Sequence, residues 1–179
     1  MKTCIFIIGT NGVGKTTLAK ELIKKFGGVS EISNDITFCN DGSSCFAGRY
    51  DRKSKYGGVD ALNSTSVLKD LVEYGLSRCN TIICEGSFLG SFGLNLTNAM
   101  FAAEKHIVVF LYAPAKSLDE RLIGRSGNRI NKRIIDKQMS CLRSARKWAS
   151  IGVSVLSFDT SVSVLDSIVS KIYEQINKK

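Results

Sequence analysis

Runs of consecutive apolar residues separate segments in which apolar residues recur every three or four positions. The apolar runs cover residues 3–8, 81–84, 107–112 and 153–158. Apolar runs that do not alternate with polar residues are typical of parallel strands buried on both faces. We therefore predict four such strands, and a fifth, shorter strand over residues 29–33.

The segments between these runs have the spacing of amphipathic helices. In the first, Leu18, Leu22 and Phe26 share one helical face, and Gly27 follows as a stop signal. Strands that alternate with helices predict an α/β protein with a doubly wound, mainly parallel sheet. Further helices are predicted over residues 60–79, 94–105, 115–124, 128–150 and 162–177.

Residues 38–60 follow neither pattern. They are rich in Gly and Ser and contain the basic residues Arg49, Arg52, Lys53 and Lys55. A stretch of this length without regular structure in a compact domain is commonly a functional loop or a disordered segment. We predict a substrate loop here, with a poorly ordered insert as the alternative.

Length and composition bound the chain to one domain. The 179 residues, 44% of them hydrophobic, suffice for one buried core and are too few for two ordinary domains. The sequence contains no run of about eighteen apolar residues, the length that could span a bilayer. The six cysteines form no CxxC pair. We predict a single domain over residues 1–179 with reduced thiols, a cytoplasmic location and no membrane partner.

Positive charge is concentrated in the C-terminal half. The formal net charge is +9, and residues 116–148 hold ten Lys or Arg against three Asp or Glu. Such a segment indicates a polyanionic partner close by. Nucleic acid and the triphosphate of a nucleotide both satisfy this pattern, so charge alone does not choose between them.

A glycine-rich motif follows the first predicted strand. Residues 9–16, Gly-Thr-Asn-Gly-Val-Gly-Lys-Thr, match G-x-x-x-x-G-K-[ST], the P-loop, between an apolar strand and an amphipathic helix. In this motif backbone N–H groups hold phosphates, Lys15 reaches the β- and γ-phosphate oxygens, and the Thr16 hydroxyl binds Mg²⁺. We predict ATP and Mg²⁺ as cofactors, and no feature rules out GTP. The predicted nucleotide-binding residues are Asn11, Gly12, Val13, Gly14, Lys15, Thr16 and Thr17.

Carboxylates at strand ends are candidates for the metal ligand and the general base. Glu85 ends a buried strand, where an acidic residue can hold Mg²⁺ beside Thr16, although a surface glutamate is the alternative. Asp35 stands just beyond the strand over 29–33 and could accept a proton from a hydroxyl, or be a turn residue. Asp60 is a rival base and substrate-binding candidate, although we expect it rather to cap the helix that follows.

Arginines recur every four residues in the basic segment, at Arg121, Arg125 and Arg129. On a helical lid over about residues 116–135 these side chains could converge on a triphosphate. A solvated basic face is the alternative. Among these arginines, Arg121 and Arg125 are the first candidates for binding the triphosphate, because they lie nearest the expected hinge. The predicted catalytic residues are Asp35, Lys15, Arg121 and Arg125.

These features resemble the small P-loop kinase superfamily, which includes nucleoside monophosphate kinases and polynucleotide kinases. The resemblance spans nearly the whole chain and rests on the P-loop, on Glu85 and on the arginine-bearing segment. It implies a three-layer P-loop NTPase fold with a central parallel sheet of about five strands, order 2-3-1-4-5, and a helical lid. In polynucleotide kinases an aspartate after the second strand is the base; Asp35 occupies the comparable place, although the arginine that usually precedes it is Asn34 here.

A shorter motif resembles that of kinases from bacterial viruses that phosphorylate 5-hydroxymethyluracil within DNA. It consists of residues 48–50, Gly-Arg-Tyr, and residues 56–60, Tyr-Gly-Gly-Val-Asp. The resemblance implies ATP-dependent phosphorylation of the hydroxymethyl group in the cytoplasm of a bacterial host, with DNA containing a hydroxymethylated base as partner. Arg49, Tyr50 and Arg52 would then contact the strand or stack on a flipped base.

Three other functions are open at this point. The acceptor could be a free nucleoside or nucleotide, whose phosphate Arg49, Arg52 and Arg78 could bind, or another small molecule. The chain could also be an ATP-dependent nucleic-acid-binding module that transfers no phosphate. The basic excess favours the polymer. In every case the loop over residues 159–161, after the last strand, is placed to contact the purine.

Overall fold

The computed structural model describes residues 1–51, 58–62, 64–127 and 131–178. Short 3₁₀ helices in this part of the chain cover Val59–Ala61, Thr65–Val67 and Phe88–Gly90. The strands are β1 (Thr3–Ile8), β2 (Val29–Ser33), β3 (Ile36–Cys39), β4 (Ser44–Ala47), β5 (Thr81–Glu85), β6 (Lys105–Tyr112) and β7 (Ser154–Asp159). The α-helices are α1 (Lys15–Lys25), α2 (Leu68–Arg78), α3 (Leu94–Met100), α4 (Ala115–Ser126), α5 (Lys132–Ser150) and α6 (Leu165–Asn177).

The described strands form one mixed sheet in the order β2-β3-β4-β5-β1-β6-β7. The stretch β4-β5-β1-β6-β7 is parallel, whereas β3 is antiparallel to both of its neighbours. The prediction of about five parallel strands in the order 2-3-1-4-5 is therefore wrong in detail. The strand beside β5 is β4, and β2, the predicted second strand, lies at the edge of the sheet.

Two short strands account for this difference. β3 and β4 have four residues each, all buried, and they lie in or next to the stretch for which a substrate loop is predicted. Runs of four residues that include Ser, Thr and Cys carry too little periodic signal to be recognised as strands. Residues 38–60 are therefore not one loop, because their first part belongs to the sheet.

Helices cover both faces of the sheet. On one face α1 and α6 pack with Ile5 and Ile7, and on the other α2, α3 and α5 pack with Phe6 and Ile8. Consecutive residues of a strand point to opposite faces, so β1 is buried along its whole length, as its apolar run predicts. Trp148 of α5 packs edge-on against Phe6, with ring centroids 6.0 Å apart. The predicted three-layer α/β architecture is confirmed.

Helix boundaries differ from the predicted ones where turns and caps intervene. The helix predicted over residues 60–79 is observed as two 3₁₀ helices followed by α2. The helix predicted over residues 128–150 begins at Lys132, because the Asn131 side chain accepts the Ile134 N–H at 3.2 Å as an N-cap. A side-chain cap of this kind gives α5 a defined start close to the phosphate loop.

All six cysteines are buried and none forms a disulfide. Burial raises the pKa of the Cys39 thiol to about 12, so this group is protonated at neutral pH. In the described residues no helix combines the length and the apolar character needed to cross a membrane.

Candidate active site

The phosphate loop connects the end of β1 to α1. Gly9 has a φ of +154°, and a Cβ there would lie 2.5 Å from the Leu111 carbonyl oxygen of β6. Gly14 has a φ of 95° and is the N-cap residue of α1. The first N–H groups of an α-helix have no intrahelical partner, and with the helix dipole they attract anions. The backbone of this loop therefore has the geometry of a phosphate site.

Lys15 enters the loop from the first turn of α1. Its Nζ donates to the carbonyl oxygens of Gly9 at 3.0 Å and Thr10 at 3.1 Å, and the residue is only 7% exposed. Burial lowers the pKa of Lys15, while the nearby carboxylates of Glu85 and Asp60 act in the opposite direction. A buried ammonium is stabilised by an anion close to it, and a phosphate held in the loop would provide one.

Glu85 connects the phosphate loop with the segment after β4. Its Oε1 accepts hydrogen bonds from Thr16 Oγ1 at 3.0 Å and Tyr50 Oη at 3.2 Å, and the residue is 2% exposed. The alternative of a surface glutamate is therefore wrong. Burial raises the pKa of Glu85, and the charge of Lys15 together with these hydrogen bonds opposes the rise. Mg²⁺ takes oxygen ligands and shares its shell with water and substrate phosphates, so the Thr16 and Glu85 oxygens fit the predicted magnesium site.

Replacing Glu85 with glutamine is expected to raise the melting temperature of the protein measured without nucleotide at neutral pH. A carboxyl whose folded pKa is raised contributes stability that is complete below its unfolded pKa and is lost as pH rises through the folded pKa. The neutral amide avoids this loss, so the gain should grow between pH 4 and pH 7 in thermal unfolding. Mg-ATP should stabilise the wild type but not the variant.

The matched control for this experiment is Glu174→Gln, which changes an exposed carboxylate on α6. Its melting temperature should follow that of the wild type at every pH, and it should still respond to Mg-ATP. A Glu85→Gln variant that is less stable than the wild type at neutral pH would show that the ionised carboxylate stabilises the fold.

Two glycines of the short motif, Gly48 and Gly58, lie together beside Glu85, whereas Tyr56 and Gly57 of the motif lie outside the described residues. Gly48 has a φ of +110°, and a Cβ there would lie 2.6 Å from the Gly58 Cα. Gly58 has a φ of +76°, and its Cβ would lie 2.7 Å from Glu85 Oε1. Both positions exclude a side chain, because of the close contact and because of the left-handed backbone. The segments around these glycines therefore meet at the end of β5.

Tyr50 is part of this packing and is buried inside the protein. It is 8% exposed and its ring packs edge-on against Phe46, with centroids 5.7 Å apart. Burial raises the pKa of its phenol, which therefore stays protonated and donates to Glu85. The predicted stacking of Tyr50 on a base does not fit this position, because its ring and its hydroxyl are both engaged inside the protein.

Asp60 lies beside Glu85 at the carboxyl end of β5. Its carboxylate accepts the Ser87 N–H at 2.6 and 2.8 Å and the Phe88 N–H at 3.4 Å, while the residue as a whole is exposed. Asp60 therefore caps backbone N–H groups as expected, but those of a different segment from the one predicted. Asp60 caps the turn after β5 and not the helix that follows it in sequence, because the packing of Gly58 directs it toward Gly86.

Asp35 lies at the carboxyl end of β4, the same edge of the sheet as Glu85, and its predicted role as the base stays a prediction. It forms the tight β2–β3 turn with Asn34, and their φ values are 57° and 49°. The turn leads into β3, which is separated from β5 by β4, and the Asp35 carbonyl oxygen accepts the Gly48 N–H at 2.7 Å. The residue lines a cavity of about 420 Å³ together with Leu62, Asp70 and Tyr74. Asp35 is therefore placed to contact a ligand in this cavity.

Arg121 connects the phosphate loop with the segment after β7. Its guanidinium donates to the Thr160 hydroxyl at 2.9 Å, the Thr160 carbonyl at 2.6 Å and the Gly12 carbonyl at 3.4 Å. A cavity of about 290 Å³ lies beside it and is also lined by Leu18 and Ser163. The predicted position of Arg121 over the triphosphate stays a prediction. These contacts place its guanidinium between the phosphate loop and the segment after β7, where the sequence predicts the purine.

The other predicted basic residues are only partly described. The Arg49 side chain is 58% exposed, and its Nη2 lies 3.7 Å from the Asp51 carboxylate. Arg52 and Arg129 lie outside the described residues, as does the side chain of Arg125 in α4. The predicted convergence of arginines on a triphosphate therefore stays a prediction for Arg125.

Ser87 is a site residue that sequence reasoning missed. Its N–H binds Asp60, and its hydroxyl donates to the Asn11 side-chain oxygen of the phosphate loop at 3.0 Å. It therefore connects Asp60 with the phosphate loop. The available signal was its place two residues after Glu85, since polar residues that follow a buried parallel strand lie at the ligand edge of the sheet.

Solved structures with this fold include kinases and a nucleotide complex. The YorR protein of Bacillus subtilis, in complex with phosphorylated GDP, has 19% identity and a TM-score of 0.57, covering 97% of this chain and 95% of that one. A gluconokinase from Sinorhizobium meliloti 1021 has 15% identity and a TM-score of 0.57, covering 97% and 91%. The deoxyadenosine kinase of M. mycoides with the products dCMP and dCDP has 15% identity and a TM-score of 0.50, covering 98% of each chain.

At these identities the solved structures show the fold alone, which is that of the P-loop kinases. No protein of curated function matches the sequence. The family described as an AAA domain matches residues 5–143, which include the phosphate loop, Glu85 and Arg121. Since this match covers well over half of the chain, the protein belongs to the AAA domain family.

Proposed function

We propose that this protein is a phosphotransferase that uses Mg-ATP and transfers the γ-phosphoryl group to a hydroxyl. The observation that carries this proposal is the convergence of three groups at the ends of β1 and β5. They are the Lys15 ammonium, the Thr16–Glu85 oxygen pair and the exposed Asp60 carboxylate. Together they supply a phosphate site, a metal site and a proton acceptor.

The reaction follows from the positions of these groups. Mg²⁺ bound at Thr16 and Glu85 would neutralise charge on the phosphate oxygens. Lys15 and the loop N–H groups hold the same phosphates in place. Asp60 takes the proton of the acceptor hydroxyl while the oxygen of that hydroxyl bonds to the γ-phosphorus. The bond to the bridging oxygen breaks, ADP leaves with the electron pair, and the proton passes from Asp60 to water.

The donor base is assigned to the cavity of about 290 Å³ between the phosphate loop and the segment after β7. Arg121 lies along one wall, held by Thr160 and Gly12. A planar guanidinium can stack on a purine ring, and the backbone and hydroxyl groups of Thr160 and Ser163 can bind its edge. These features support a purine nucleotide as donor.

The acceptor side favours an alcohol over a phosphate. Asp60 is an exposed carboxylate beside Glu85. Leu62, two residues after Asp60, lines the cavity of about 420 Å³, which is also lined by Asp35 and Asp70. A phosphate acceptor would be repelled by these carboxylates, whereas a hydroxyl can donate its proton to one of them. The described cations on this side include Arg49, which is paired with Asp51, and Arg78, which lies beside Tyr74 of the cavity and is paired with Glu31.

The specific acceptor that we propose is the hydroxymethyl group of 5-hydroxymethyluracil in DNA. Three residues of the motif that carries this resemblance lie at Glu85: Tyr50 donates to it, Gly58 packs against it, and Gly48 packs against Gly58. These residues of the motif therefore belong to the site. The net charge of +9 favours a polyanionic substrate. DNA containing the hydroxymethylated base is thus the proposed partner, and phage DNA modification the proposed process.

The second candidate is a nucleoside or nucleoside monophosphate kinase. The observation in its favour is that nucleotides are bound in two proteins of the same fold, as phosphorylated GDP and as dCMP with dCDP. The cavity of about 420 Å³ next to Asp35 has room for a nucleoside. A module that binds ATP and nucleic acid without phosphate transfer is the candidate from another class.

The deciding experiment follows labelled γ-phosphate from ATP to a panel of acceptors. The panel contains 5-hydroxymethyluracil DNA, unmodified DNA, 5′-hydroxyl oligonucleotides, free nucleosides and free nucleotides. Label on the modified DNA alone is the expected result. Label on a free nucleoside or nucleotide alone would support the second candidate, and ATP-dependent DNA binding with no labelled product would support the module.

A further inference from the structure

One face of α5 lies directly against the phosphate loop. The Thr10 hydroxyl donates to the Ile134 carbonyl oxygen of α5 at 3.0 Å. Two turns farther along, the Cys141 thiol is close to the backbone N–H of Gly9 and packs against Gly90. Residues three, four and seven positions apart share one helical face. Lys137 lies between these two contacts and therefore faces the same loop.

Lys137 is a half-buried cation next to another cation. A Cβ on Gly90 would lie 3.5 Å from its Cε, which places the end of the side chain between the phosphate loop and the turn after β5. Its charge acts on Lys15 and on Cys141. Within the described part of the chain no carboxylate lies within ion-pair distance of its ammonium.

Two ammonium groups at one loop repel each other, and an anion between them offsets this repulsion. The Lys15 ammonium contacts the carbonyl oxygens of Gly9 and Thr10, the same residues that face α5. A nucleotide held by the loop would bring its terminal phosphate to this place. Since Arg121 is engaged by Thr160, it does not supply the cation here.

We propose that Lys137 binds the γ-phosphoryl group of the donor from the α5 side, opposite Lys15. This inference rests on the proposed phosphotransferase function and adds a catalytic residue to it. The ammonium neutralises charge on the γ-phosphate oxygens and exchanges no proton. It touches the group that is present in ATP and lost in ADP, so it distinguishes the two nucleotides.

The test compares ATP and ADP affinities of Lys137→Met with those of the wild type by calorimetric titration in the presence of Mg²⁺. ATP affinity should fall about 10- to 100-fold, the effect of losing one charge-assisted hydrogen bond, and ADP affinity should change less than about twofold. Lys137→Arg should restore most of the ATP affinity. Lys147→Met, on the solvent side of the same helix, should behave as the wild type.

An unchanged ratio of ATP to ADP affinity in a folded Lys137→Met variant would overturn the inference and leave the proposed function intact. A wild-type protein that binds neither nucleotide would overturn the proposed function itself and this inference with it. If the Met variant does not fold, Lys137→Gln in the same titration decides between the same outcomes.

Discussion

Replacing Lys15 with methionine is expected to reduce γ-phosphate transfer by about 10³-fold, the scale of a lost transition-state cation or hydrogen-bond donor. Its ammonium is held at the centre of the phosphate loop by the Gly9 and Thr10 carbonyl oxygens, close to Glu85. Methionine keeps the length of the side chain and removes the charge. The measurement is the initial rate of label transfer at saturating acceptor.

Lys20→Met is the matched control, because Lys20 lies on the exposed side of the same helix. Its transfer rate should equal that of the wild type. Thermal unfolding of both variants checks that the fold is kept. A Lys15→Met protein that retains more than a tenth of the wild-type rate would contradict the assignment of the loop as the phosphate site.

Replacing Asp60 with asparagine is expected to lower the transfer rate by about 10²- to 10⁴-fold while leaving ATP affinity unchanged. The carboxylate stands beside Glu85 and is exposed toward the site, where it can take a proton from a hydroxyl. Asparagine keeps an oxygen that can accept the Ser87 N–H, so the turn after β5 is preserved. Single-turnover rates at saturating acceptor measure the chemical step.

Asp35→Asn distinguishes between the two candidate bases. Asp35 has a φ of 57° in a hairpin turn, and asparagine tolerates this conformation, so the fold should be kept. We expect a higher KM for the acceptor, because the side chain lines the neighbouring cavity, and a small change in kcat. A large loss of kcat in Asp35→Asn with normal activity in Asp60→Asn would assign the base to Asp35, as the family resemblance implies.

The phosphate loop could be predicted from the sequence because its geometry is local. Gly9, Gly14, Lys15 and Thr16 lie within eight consecutive residues, and the strand and helix that support them adjoin the loop directly. Their spacing therefore carries the whole structure of the loop. The position of Glu85 follows from the same rule, since an acidic residue at the end of a buried parallel strand lies at the ligand edge of the sheet.

The acceptor side could not be predicted in this way. The β2–β3 hairpin precedes β4, so that β4 pairs with β5 and separates it from the strand that follows Asp35. β4 is only four residues long, so no periodic signal identified it. Asp60, for which helix capping was expected, is brought to Glu85 by close backbone packing at Gly48 and Gly58.

The orientation of side chains could not be predicted from the sequence either. Aromatic and basic residues in a loop predict substrate contact, but the Tyr50 ring is buried against Phe46 and its hydroxyl binds Glu85. Arg121 is four residues from Arg125 in a basic segment, yet its guanidinium donates to Thr160 after β7. Neither contact partner is near in sequence, so no spacing rule could have indicated it.

The sequence by itself determined the α/β class, the phosphate loop and the carboxylate at the end of β5, because each depends on residues that are adjacent in the chain. Only the tertiary structure decided which carboxylate lies beside Glu85 and which cations lie around the phosphate loop. Asp60, Arg121 and Lys137 reach the site from elements far apart in sequence. Their places depend on strand order and helix packing, which arise from the whole core and not from any local pattern.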